Sequence, residues 1–446
     1  MSADRAPWAR LPWWILAALP PVIVIYFIGH YGVDVPFWDE WELVPLMTGS
    51  LGTREALRNL WSFRNEHRQP FPIAILLGLS RLTRWNVRGE LFLNALLAAL
   101  ILAVLVLTGR RPREGDRAPG PPLATTALAV LVFAFGQWEN WLWGITAASF
   151  TSVLACVLSF FLLSRDSRSG ASFTGAVLSA VVASFSFGNG LLVWLAGLPA
   201  LGCAPDPRRR VKRMLVWGLV AAATTGAYFH GFKLPRHRGM PALVTSEQPN
   251  RFGYVCTYLG APLEGSDPAR ARALGEIGLV VWLAAGAAAV RRGADRTVFL
   301  PALSLGLLGV GTACATALVR AQLGPFQALS SRYVTLSTPF WASIVLLLAA
   351  TAGVARADGR AAPLLRSAGI VVIVLLSMRN SIELWPQAVD RSDALATARI
   401  ALRRERFSDL ASDPRLRVLY PDPAALEGRV AALESHRLSL FRDRAR

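Results

Sequence analysis

FPIAILLGLS, residues Phe71–Ser80, decides how the rest of the chain is threaded. The run is apolar, but it has about half of the roughly 20 residues that a helix needs to cross a bilayer. Pro70 precedes it, Pro72 interrupts it, and Arg81 and Arg84 follow. A run of that length fits a helix lying in the membrane interface. If it spanned, Arg110, Arg111, Arg113 and Arg117 would move outside, and every later Arg cluster would flip with them. Residues 30–88 are therefore read as one long outer segment.

The whole chain supports a membrane reading. Of 446 residues 53% are hydrophobic, only 17% are charged, and the mean hydropathy is +0.40. A disordered chain is excluded, because disorder needs low hydrophobicity. The formal net charge is +18, which would suit a nucleic-acid binder, but its distribution argues otherwise. The basic residues fall in short clusters between apolar runs: Arg110–Arg117, Arg165 and Arg168, Arg208–Arg213, Arg291–Arg296, and Arg356–Arg366. That is the positive-inside pattern of cytoplasmic loops, and no nucleic-acid signature accompanies it. The four cysteines are scattered, with neither disulfide nor metal spacing.

The sequence thus predicts an all-α polytopic transmembrane helical bundle of about 11 spans. They are placed near residues 12–29, 89–108, 122–137, 145–163, 172–187, 190–204, 214–231, 273–290, 297–318, 335–354 and 364–379. The first, Leu11 to Ile28, reads as a retained signal anchor. The N terminus is expected inside, and the odd count puts the tail outside. Residues 1–379 form the membrane domain and 380–446 a small extracytoplasmic helical tail, with helical pieces around 392–411 and 423–441. No strong internal repeat supports an inverted-repeat transporter layout.

The first outer loop is the richest in chemistry. Asp34, Asp39, Glu40 and Glu42 lie among Phe37, Trp38 and Trp41. Asp39 and Glu40 are adjacent, so in a helix or strand they cannot both point the same way. One can face a cavity while the other binds a metal, pairs with an Arg or caps a helix. A merely solvated acidic loop is the plainer reading. Asn65-Glu66-His67-Arg68 puts a carboxylate, an imidazole and a guanidinium together, suited to a phosphate, a sugar or a metal, though a single His beside one Glu is a weak metal signal; a helix cap with a salt bridge explains it as well. Glu139 in QWENWLWG sits where two spans meet, at a depth where a carboxylate must be solvated or engaged. FGNG, residues 187–190, reads as a structural turn. Lys233, Arg236 and Arg238 in the third outer segment, and Arg320 with Arg332-Tyr333 in the fourth, break the inside bias. Arg forks bind phosphate oxygens by paired, charge-assisted hydrogen bonds, which suits a lipid phosphate; snorkelling toward anionic lipid is the alternative.

Asp39-Glu40 soon after the first span, the amphipathic residues 52–64 and the run 71–80 resemble the GT-C superfamily of membrane glycosyltransferases. The Asp-Glu pair is similar to that of protein O-mannosyltransferases and lipid A aminoarabinose transferases. The wider set PFWDEW, NEHR, QWENWLWG, FGNG, LSSRY, LYPDP and HRLSLF resembles a group of bacterial polytopic membrane proteins that brings no established substrate. The GT-C resemblance implies an inverting glycosyltransferase of the bacterial inner membrane. Its donor would be a sugar on a polyprenyl phosphate, and its acceptor a hydroxyl of a glycan, lipid or protein on the periplasmic side. It implies Asp39 as the base, with Glu40 as rival. Arg332 and Arg320, or Arg236 and Arg238, would steady the phosphate. Glu66, His67, Arg68, Glu139, Lys233 and Tyr333 complete the substrate-binding set. Whether a divalent cation, Mg2+ or Mn2+, takes part stays open. The competing readings are a flippase for lipid-linked sugars and an O-antigen-type polymerase or ligase. Polar groups at the outer boundary rather than at mid-membrane favour the interfacial enzyme over the flippase.

Overall fold

In a medium without water an apolar run can satisfy its backbone only internally, so it folds as a helix. The computed structural model describes residues 11–110, 122–165, 170–204, 206–233, 250–352, 361–405, 407 and 413–443. Among them the architecture is all-α, with one minimal hairpin pairing β1 (Phe63–Arg64) and β2 (His67–Arg68).

The helices, in chain order, are α1 (Leu11–Tyr31), α2 (Thr53–Trp61), α3 (Pro70–Thr83), α4 (Val87–Gly109), α5 (Pro122–Val132), α6 (Ala147–Ser164) and α7 (Ala171–Ser184). After short helical turns over 188–201 come α8 (Pro207–Phe229), α9 (Arg251–Gly260), α10 (Pro268–Arg291) and α11 (Arg296–Arg320). The last are α12 (Val334–Ala352), α13 (Ala361–Arg404) and α14 (Glu427–Ser435). Seven are long and apolar enough to cross a membrane: α1, α4, α6, α10, α11, α12 and α13. The run that opened the sequence reading forms α3, a 14-residue helix below spanning length.

Burial separates the middle of the bundle from its rim. The apolar stretch of α12 is 89% buried and that of α1 only 17%. On α1, Val24, Phe27 and Ile28 face inward, while Ile15, Leu19, Val22 and Ile25 are exposed. On α10, Trp282, Ala285 and Ala289 are buried, and Ile277, Val280 and Leu283 are exposed. Apolar surface on this scale is untenable in water and expected against lipid. Helices without a hydrophobic drive between them pack through small residues. At the α9–α10 crossing a Cβ on Gly260 would overlap the backbone of Ala271, and one on Gly275 would overlap the backbone of Cys256.

The two ends of the bundle differ in chemistry. At one, arginines cap helix C-termini: Arg165 donates to the carbonyls of Leu107 (2.7 Å) and Arg110 (3.0 Å), and Arg366 to Thr351 (3.0 Å). Cations are favoured at such ends by the free carbonyls and the helix dipole. The other end gathers the acidic and aromatic loops.

α13 does not stop at 379. It runs unbroken for 44 residues, about 66 Å at 1.5 Å per residue, twice the hydrocarbon thickness of a bilayer. There is thus no break where the sequence reading divided the chain. Beyond 379 the helix becomes amphipathic, burying Leu384, Ala388, Leu395, Ala398 and Leu402 on one face. Asn380 ties it to the α9–α10 connection by accepting from the Gly265 N–H (2.8 Å) and donating to the Ala261 carbonyl (3.1 Å). Gly275→Leu forces a side chain into backbone, and overpacking of this kind costs about 1–3 kcal/mol or more. The expected outcome is a lower melting temperature in detergent, read by size-exclusion after heating, whereas Gly218→Leu, at a position open to a side chain, is neutral.

Candidate functional site

Phe37 is extended and a 3-10 turn runs over Trp38–Leu43. Glu40 folds back beneath it with no exposed surface. One carboxylate oxygen accepts from the Phe37 N–H (2.8 Å), the other from the Ile145 N–H (3.0 Å). Trp143 returns a bond from its indole N–H to the Phe37 carbonyl (3.0 Å). Glu40 is therefore a pin between the first loop and the QWENWLWG turn. Glu90 lies beside it, held by the Trp85 indole N–H (2.9 Å). The two carboxylates leave no room for a side chain at residue 144, which is glycine. Burial raises the Glu40 carboxyl to about 7, against the pull of its backbone donors.

Asp39 points the other way, as adjacency requires. It follows Trp38, a non-glycine residue in the left-handed region (φ +48°). Asp39 is half-buried, and burial raises its carboxyl above the ordinary value. Arg332 and Arg64 oppose that rise, while Glu42 and Glu66 add to it. An aspartate so placed is a better base than a solvated one, provided it is ionised when substrate arrives.

The NEHR segment is a tight hairpin, turned by Asn65 at φ +51°. Its three polar side chains diverge. Glu66 forms an ion pair with Arg320 at the end of α11. His67 stacks on Phe187 with ring centroids 3.9 Å apart, and its Nδ1 accepts from the Gly188 N–H (3.3 Å). Burial lowers its pKa to about 4, so near neutral pH it is a neutral imidazole carrying its proton on Nε2. Arg68 is buried away from Asp39, donating to the His230 carbonyl (2.7 Å) past the end of α8 and lying over the rings of Phe63 and Trp61.

Glu139 is engaged rather than free. Its N–H donates to Ser331 Oγ (3.1 Å) and its carboxylate accepts from the Arg332 N–H (3.1 Å). This reciprocal clamp fixes the turn into α12 that carries Arg332 and Tyr333. The tryptophans around it, Trp138, Trp141 and Trp143, are buried, so they are core and not an interfacial belt. The Arg332 guanidinium lies over the Tyr333 ring (5.6 Å) and has no hydrogen-bond partner among the described residues. Lys233 is exposed beyond α8; Arg236 and Arg238 lie outside the described residues.

Two residues that the sequence reading passed over join this cluster. Arg64, one residue before NEHR, binds Asn59 (2.6 Å) and has one buried nitrogen without a partner. Tyr254 of α9 is buried with an unpaired hydroxyl, within electrostatic reach of Arg320 and Arg332. It also lines an open groove of about 690 Å³ with Asn250, Thr257, Arg272 and Pro325. Its place two residues before Glu66 was the available signal for Arg64; nothing in the sequence distinguished Tyr254. Among the described residues no three His, Cys, Asp or Glu come together in a group that could hold a metal ion. Compared with known protein families, curated proteins and solved structures, the chain matches none.

The pin and the outward acid respond differently to change. Glu40→Ala leaves two buried N–H groups unpaired, at about 1–3 kcal/mol each; Asp39→Asn leaves the melting temperature close to wild type. The folded state holds a proton on Glu40 that the unfolded chain, at an ordinary 4.5, releases earlier. The stability this provides is fully present below pH 4.5 and is lost as pH rises through about 7. Thermal melts of Glu40→Gln across that window should show a shallower fall than wild type.

Proposed function

We propose that this chain is a membrane glycosyltransferase similar to the GT-C superfamily, moving a sugar from a polyprenyl-phosphate donor to an acceptor hydroxyl. The observation that carries the reading is Asp39: a half-buried carboxylate within electrostatic reach of Arg332 and Arg64, at the end of the bundle opposite the arginine-capped loops. The leaving group in such a transfer is already a phosphate anion, so no acid is required. What is required is a base for the acceptor and positive charge for the departing phosphate. Asp39 takes the acceptor proton. The acceptor oxygen then bonds to the anomeric carbon from the face opposite the phosphate. The carbon–oxygen bond to phosphate breaks, its electron pair leaves with the phosphate, and Arg332 neutralises it, with inversion at carbon. Arg320, held by Glu66, adds charge beside it. Glu40, whose two oxygens are occupied by backbone donors, serves as the pin.

The same reading sets the topology. Adding α5, α7, the turns over 188–201 and α8 to the seven long apolar helices makes eleven crossings. The arginine end then faces the cytoplasm with the N terminus, and the acidic end and the C-terminal cap lie in the periplasm of a bacterial inner membrane. Purified protein given radiolabelled polyprenyl-phosphate sugars should transfer label to a hydroxyl acceptor. Asp39→Asn should lose about 10²–10⁴ of the rate, and Arg332→Gln should also slow it. Translocation of the glycolipid across vesicles, without transfer, would replace this reading with a flippase. Reporter fusions after residue 110 and at the C terminus should report cytoplasm and periplasm respectively; a cytoplasmic C terminus would overturn the topology.

A further inference from the structure

The segment that carries Asp39 is held from outside by the far end of the chain. The Trp38 N–H donates to the Leu419 carbonyl (2.8 Å). Glu42 accepts from the Tyr420 hydroxyl (2.6 Å) and from Arg429 (3.0 Å). Asp34, whose other oxygen takes the Val87 N–H (2.8 Å), accepts from Arg442 (2.6 Å). These bonds grip the loop on both sides of Asp39, about 380 to 410 residues away in sequence. Leu416, Leu419, Leu426 and Leu433 of the cap are buried and continuous with the hydrophobic core of the bundle, so it is a docked partner and not a loose tail.

We propose that the C-terminal cap, residues 413–443, is the positioning element for Asp39, and that Tyr420 and Arg429 act on it by engaging the charge of Glu42. Its purpose rests on the glycosyl-transfer reading; its physics does not. Trp38 occupies a left-handed conformation that non-glycine residues seldom adopt, and the bond from Leu419 holds it there. That conformation turns Asp39 one way and Glu40 the other. The charged groups within electrostatic reach of Asp39 are Arg332 from the turn before α12, Arg64 and Glu66 from the hairpin, and Glu42 and the adjacent Glu40 from its own segment. Among the described residues the hydrogen-bond partners of Glu42 are on the cap, and Arg64 of the hairpin acts on it electrostatically. A tail that merely shielded the loop from solvent would have no reason to hold Glu42, the exposed carboxylate on the turn of Asp39, by two side chains, when Glu40 on that turn is already held by backbone donors.

The test is the titration of Asp39 without substrate, read by infrared difference spectroscopy as the carboxyl band that Asp39→Asn removes. Arg429→Gln frees the charge of Glu42 and should raise the midpoint by about 0.3–1 pH unit. Glu42→Gln deletes that charge and should lower it by a similar amount. Arg429 and Glu42 form a partly exposed pair, 25% and 45% exposed, where an ion pair adds little to stability, so both variants should keep the fold, with melting temperatures near wild type. The acid limb of the transfer rate should move in the same directions. Midpoints that stay put, or move together, would overturn the proposal. Opposite shifts in a protein that transfers no sugar would leave the positioning role standing and sink the glycosyltransferase reading alone.

Discussion

The acidic end of this protein depends on one buried carboxylate. Glu40 joins the Phe37 and Ile145 backbones, which belong to different connections of the bundle. A charge without solvent is tolerable only when its oxygens are satisfied, and here backbone donors do that. The consequence reaches the neighbouring residue. With Glu40 committed inward and Trp38 left-handed, Asp39 diverges from it and stays half-buried within electrostatic reach of Arg332 and Arg64. Glycine at 144 belongs to the same constraint, since its missing side chain is the space that Glu40 and Glu90 occupy.

Around this pin the long connections are built as rigid parts. The QWENWLWG turn is core, clamped to the turn before α12 through Glu139 and Ser331. The NEHR hairpin is fastened at three places by Arg68, His67 and Glu66. α13 leaves the apolar bundle and continues as a post on which the cap packs, with Trp385 against Phe27 and Phe135. Loops that carry chemistry usually move more than the elements they join. Here they are tied to helix ends by charge-assisted bonds, which favours a preorganised site.

Much of the fold was legible because membrane helices announce themselves by length and polarity. The short run 71–80 was readable as non-spanning for the same reason, and the adjacency of Asp39 and Glu40 required that they part. What could not be read depends on distant partners. Arg379 and Asn380 look like the end of a span, yet the helix continues because Leu384, Ala388 and Leu395 find a surface to pack on. The tryptophans of 138–143 have the composition of an interfacial belt and are buried, since Trp141 packs on Phe133 and Phe150. No local pattern pairs Asp34 with Arg442 or Glu42 with Arg429. Arg68, read as a ligand group, is spent on the end of α8, and only the folded chain shows it.

The central claim is that Asp39 and Arg332 work on opposite sides of one sugar, the carboxylate on the acceptor and the guanidinium on the departing phosphate. It is tested most directly by a cryo-electron microscopy structure of the protein with a non-transferable polyprenyl-phosphate sugar. The account predicts the phosphate within ion-pair reach, about 4 Å, of the Arg332 guanidinium, with Asp39 on the opposite side of the sugar. A headgroup lodged at the arginine-capped end, or one at the acidic end that leaves Asp39 and Arg332 untouched, would contradict it.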